Sequence, residues 1–90
     1  MKTPKVGATV AVRWLDAHSR ALTESTLEDI AAETLVCYTS YGVLVRYDDE
    51  VVAVAADSRC DDGMRYRGVT YIPRGMVQTI AAVPRGQVSA

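Results

Sequence analysis

Pro73 is the residue that most limits how this 90-residue chain can fold. It sits between two runs of alternating character, in Tyr71-Ile72-Pro73-Arg74-Gly75-Met76-Val77-Gln78-Thr79-Ile80. Proline has no N–H to give to a strand ladder, so pairing must break at that point. Gly75 lets the backbone turn sharply just beyond it. The stretch therefore predicts a strand, one tight 3₁₀ turn and a second strand, with Val77, Thr79 and Ala81 resuming the alternation.

Upstream, the same period of two recurs. Val6, Ala8, Val10, Val12 and Trp14 share one face of a first strand, and Trp14 reads as a core residue on that face. Thr34 to Tyr47 forms a long second run. Its odd positions, Leu35, Cys37, Thr39, Tyr41, Val43, Val45 and Tyr47, are expected to point inward, with Cys37 as a small core residue. Gly42 in mid-run predicts a bulge or sharp bend. Asp48-Asp49-Glu50 is a turn, and Val51 to Ala56 is apolar on both faces, which predicts burial on both sides. The Asp62-Gly63 pair marks a second turn. Strands are expected near 6–15, 34–47, 51–57, 68–73 and 77–83. Between the first two, Ser25-Thr26-Leu27-Glu28 fits a capping box with Ser25 as N-cap. A helix of about two turns follows, presenting Leu27, Ile30 and Ala31 on one face and needing tertiary packing to persist.

Length and composition restrict the function. Ninety residues make a single domain, 1–90, with a modest core. There is no Phe, one Trp and five Tyr, so the core is thin and self-association is expected to supplement it. A net charge of −1 argues against general nucleic-acid binding. No apolar run approaches the ~20 residues that span a bilayer, and no signal peptide is recognisable, so a soluble cytoplasmic protein is expected. Cys37 and Cys60 belong to no CxxC pair and there is one His, which disfavours a zinc site and leaves two free thiols.

No nucleophile elbow, phosphate loop or metalloprotease helix is present, so neither an enzyme nor a cofactor is expected. Asp16-x-His18 is the sole acid–imidazole pair close in sequence, and it reads as a turn Asp beside an exposed His. Five of the ten basic residues are arginines after position 56, against three aspartates there. Arg65, Tyr66, Arg67 and Arg74 form the candidate anion-binding set, because guanidinium forks grip phosphate or carboxylate and Tyr adds a stacking face. Trp14 and Asp16 complete the candidate ligand contacts.

Val6-Gly7, Val12-x-Trp14-x-Asp16-Ala17, Ser40-Tyr41-Gly42, the Val51–Ala56 run and Ile72-Pro73-Arg74-Gly75-Met76 together resemble a group of short uncharacterised phage proteins. Small SH3-like barrels carry such a tight turn before their last strand, and the 71–80 segment is similar. With the even alternation, the turn signals at Asp48–Glu50 and Asp62-Gly63 and the Pro73–Met76 closure, a five-stranded, antiparallel SH3-like small barrel is expected, with one short helix in the loop between strands 1 and 2. The resemblance to phage proteins implies a phage accessory protein that binds a host protein and interferes with a host factor or host defence. The alternatives it leaves open are a sponge for a phosphate-bearing nucleotide signal and a small virion or DNA-metabolism component. The Arg20–Glu33 stretch departs from the shared pattern, and no catalytic residue comes with the likeness.

Overall fold

The computed structural model describes residues 3–59, 61 and 63–84. It holds five strands, β1 (Thr9–Asp16), β2 (Val36–Tyr47), β3 (Val51–Arg59), β4 (Arg65–Pro73) and β5 (Val77–Ala82). One short helix, α1 (Leu27–Ala32), lies between β1 and β2, and a 3₁₀ turn at Arg74–Met76 links β4 to β5. All neighbouring strands run antiparallel in a single sheet of order β4-β3-β2-β1-β5. The outer strands β4 and β5 do not pair with each other, so the sheet remains open.

The core lies on one face of the bent sheet. Val10, Val12, Leu44, Val52, Val54 and Ile72 are buried there, with Ala8, Trp14, Tyr47, Met76, Val77 and Ile80 packed around them. The even face of β1 therefore points inward as its alternation predicts. That face also decides β2, because Trp14 lies opposite Tyr38, Val12 opposite Ser40 and Val10 opposite Gly42. Residues directly opposite share a face, so the even positions of β2 turn inward and the expected odd face turns out. Tyr41 and Cys37 are exposed, which corrects the core reading of Cys37, and Val36 and Tyr38 on the even side are also exposed because this end of β2 extends beyond the core. The inversion ends at Val45, where the β2–β3 register slips between Leu44 and Arg46. One extra residue there brings both Leu44 and Tyr47 to the core side.

The bulge thus falls at Val45 and not at Gly42, and Gly42 has a different task. A Cβ at that position would collide with the Ala55 carbonyl oxygen and lie 2.7 Å from Val54 Cγ1. Only glycine lets β3 pass so close over β2. The apolar reading of β3 holds, since Val52, Ala53, Val54 and Ala55 are all buried.

α1 begins one residue later than its expected cap. Thr26 is the N-cap, its hydroxyl accepting from the Asp29 N–H at 3.1 Å, while Asp29 Oδ2 accepts from the Thr26 N–H at 3.3 Å. The capping box is therefore Thr26 with Asp29, and Ser25 with Glu28 lies outside it. α1 buries no residue: Leu27 is 87% and Ile30 60% exposed. The packing that such a short helix requires is not supplied by the sheet of its own chain.

Candidate functional site

The sequence-derived site divides into three separate places. Arg65, Tyr66 and Arg67 stand together on β4 near the tip of the β3–β4 hairpin, around a depression shared with Asp57, Ser58 and Arg59. Cross-strand pairing puts Arg65 opposite Arg59 and Arg67 opposite Asp57. Like charges directly opposite repel, and carboxylates relieve the strain. Arg67 donates to both Asp57 oxygens at 2.8–3.3 Å, and Arg59 Nε donates to Asp61 Oδ1 at 2.5 Å. Each Arg holds its acid below the usual carboxylate range, chiefly through these hydrogen bonds. Arg65 forms no ion pair with any of the described residues. Cys60 and Asp62 lie outside the described residues.

Arg74 belongs elsewhere. It follows the far end of β4, nine residues from Arg65, which at the rise of a strand is roughly 25–30 Å. Its guanidinium lies 4.3 Å from the Tyr47 ring centroid and donates through Nη1 to the Asp48 carbonyl at 3.1 Å. Its backbone N–H donates to the Glu50 carbonyl at 2.8 Å. These contacts fasten the 3₁₀ turn onto the β2–β3 hairpin. That hairpin is itself tightened by Asp48, whose Oδ1 accepts the N–H groups of Glu50 and Val51 and whose Oδ2 accepts Arg46 Nε.

Trp14 and Asp16 occupy the third place. The indole N–H donates to Ser40 Oγ at 3.0 Å, and the ring is 5.4 Å from that of Tyr38. Asp16 closes β1 opposite Val36. His18 pairs with Glu33 and not with Asp16. Glu33 Oε1 meets His18 Nε2 and Arg20 Nη2, each at 3.0 Å. Arg20 first, then His18, holds the Glu33 carboxyl below its ordinary range.

A further surface is not anticipated by the sequence reading. On the outer face of the sheet, Ala53 and Ala55 lie between larger neighbours. Ala53 is only 1% exposed although it turns away from the core, because Arg46 and Tyr71 pair on either side of it. The result is an open depression, or trough, of about 680 Å³ above the covered Ala53. Its walls are Val45 and Arg46 from β2, and Val69, Tyr71 and the Met64–Tyr66 segment from β4. Tyr71 is 66% exposed, and Met64 and Tyr66 are exposed as well. The signal for it was available in β3: the alternation of Val with Ala places every small side chain of Val52–Ala55 on one face.

Among the described residues, no group of three or more His, Cys, Asp or Glu is arranged to hold a metal ion. No helix among them is long and apolar enough to cross a membrane. No family model matches the chain, and neither does any curated protein or solved structure.

Proposed function

We propose that this protein is a non-catalytic binding module that holds an acidic, amphipathic segment of a protein partner in the trough over Ala53. The observation that carries this reading is the composition of the trough. Two exposed tyrosines, a methionine and the guanidinium groups of Arg46 and Arg65 border one open depression at the β4 edge of the sheet. Tyr, Met and Arg are the residue types enriched where proteins meet. Exposed apolar surface bordered by charge is the usual mark of such a face. An amphipathic segment lying in an apolar groove, with its acids against the arginines, satisfies both halves of the surface.

The strand order and the 3₁₀ turn before β5 support classing the fold as an SH3-like small barrel. The likeness to short phage proteins supports a host protein as the partner. A phosphate-bearing nucleotide has less in its favour, because Arg67, Arg59 and Arg46 are all engaged by carboxylates and Arg74 is far from Arg65, which leaves a single guanidinium at the depression without an ion pair among the described residues.

A photo-reactive phenylalanine analogue at position 71, irradiated in a bacterial host extract, tests the reading. A discrete adduct with a protein other than this chain is expected there, distinguished by mass from two cross-linked copies. None is expected from the same analogue at Gln78 on β5, and the adduct should fall at least about ten-fold when Arg46→Glu and Arg65→Glu are combined. Equal labelling at both positions, or no labelling at 71, overturns it.

A further inference from the structure

We infer that the trough also accepts α1 from a second copy of this chain, so that two copies exchange helices. The inference rests on the trough being a binding surface for an acidic amphipathic segment, and it names one such segment. Three observations carry it.

The first is that α1 is uncovered. A six-residue helix does not hold its shape in water unaided, yet Leu27 and Ile30, one turn apart on the same face, are both exposed. Leu22 in the approach to the helix is fully exposed too. The second is charge. Around α1, Glu24 and Glu28 form no ion pair among the described residues, while Glu33 is held by Arg20 and His18; on β4, Arg65 forms none, while Arg67 is held by Asp57. Glu28 borders the apolar face of α1, as Arg65 borders the trough, where Arg46 is already paired with Asp48. Apolar surface and charge therefore match in the same pairing.

The third is position. α1 lies beyond the end of β1 that pairs with Val36, while the trough reaches Val45 on the same strand β2. Nine residues of strand separate those levels, roughly 30 Å. α1 has no substantial packing against β3 or β4 of its own chain. A second copy can present its helix to the trough without that restriction. A two-fold arrangement makes the contact twice, each copy giving a helix and receiving one.

Molar mass measured by sedimentation equilibrium at micromolar concentration tests the exchange on the full chain. The wild type is expected to have the mass of two copies. Leu27→Glu with Ile30→Glu removes the helix contribution, and Tyr71→Glu removes the trough contribution; each variant alone should be a single copy. An equimolar mixture of the two should regain a two-copy species, because one intact helix then meets one intact trough. If the helix variant fails to fold, Glu28→Arg and Arg65→Glu replace the pair. Each should weaken association several-fold, and the doubly substituted chain should recover it. A single-copy wild type, two-copy variants, or a mixture or double substitution that restores nothing overturns the inference. If the wild type is a single copy while the analogue at position 71 still captures a partner, the exchange is wrong and the trough stands. If capture fails too, both are wrong.

Discussion

The Arg74 guanidinium lies over the ring of Tyr47, its central carbon 4.3 Å from the ring centroid, and the same side chain donates to the Asp48 carbonyl. A cation over an aromatic face contributes about 0.5–1 kcal/mol at a partly exposed site. A hydrogen bond from a charged donor contributes about 1.5–3 kcal/mol. Because solvent screens this exposed contact, Arg74→Ala should destabilise the fold by less than that sum, about 1–3 kcal/mol, read as a lower midpoint in urea denaturation. Arg74→Lys should recover part of the loss, since an ammonium retains the charge over the ring without the planar fork. The same substitutions should leave labelling from position 71 unchanged, because Arg74 takes no part in the trough.

Two glycines give opposite expectations. At position 42 an added methyl meets the Ala55 carbonyl and Val54 Cγ1, and neither is a flexible chain end. Gly42→Ala should cost at least about 1–3 kcal/mol, the usual range for overpacking, and lower the melting temperature accordingly. At Gly75 an added Cβ meets nothing within 4 Å. Gly75→Ala should be near neutral, or stabilising by up to about 1 kcal/mol through a more restricted unfolded chain. A thermal melt of each variant compares them directly.

Acid should loosen the β2–β3 hairpin. Hydrogen bonds from Arg46, Val51 and Glu50 lower the Asp48 carboxyl from an ordinary 3.8 to about 2. A carboxyl whose pKa falls on folding binds its proton more readily in the unfolded chain. Its contribution is thus complete above about 4 and disappears as pH falls toward about 2. Glu33, lowered by Arg20 and His18, follows the same sign for the segment around α1. Denaturation midpoints measured across that acid range should fall, and Asp48→Asn should reduce the slope. An unchanged slope in that variant would assign the acid sensitivity to other carboxyls.

Ser40→Ala should remove the acceptor for the Trp14 indole N–H. The bond is part-buried and 3.0 Å long, so its loss should cost about 1 kcal/mol. Trp14 is the only tryptophan of the chain, and its emission should change in the same variant. A midpoint and a spectrum both equal to the wild type would show that the bond contributes nothing.

Local chemistry made the strands legible. Pro73 and Gly75 mark the 3₁₀ turn, Asp48 to Glu50 mark a hairpin, and the valines of β1 declare their face without help from elsewhere. The alternation of β2 favours the outer face over its first half because both of its faces carry apolar residues. Only its register against β1, a long-range property, shows that Tyr38 stands beside Trp14. The bulge at Val45 then reverses the parity, and no sequence signal separates that residue from the valine two places before it. The site suffered in a similar way. Arg65 and Arg74 look close because both belong to the final third, but a straight strand holds them apart. The trough comes from three strands side by side, and alternation along one strand shows only the Ala53 beneath it.

The extended outline of the molecule has a hydrodynamic consequence. Its radius of gyration is 16.5 Å and it measures 55 × 30 × 29 Å, whereas a compact chain of this length has a radius of gyration of about 12 Å. An elongated particle meets more friction than a sphere of equal mass. Even a single copy should leave a sizing column early, with the apparent mass of a somewhat larger protein. Elution volume alone therefore overstates how many copies travel together, and the copy number of this chain has to be weighed.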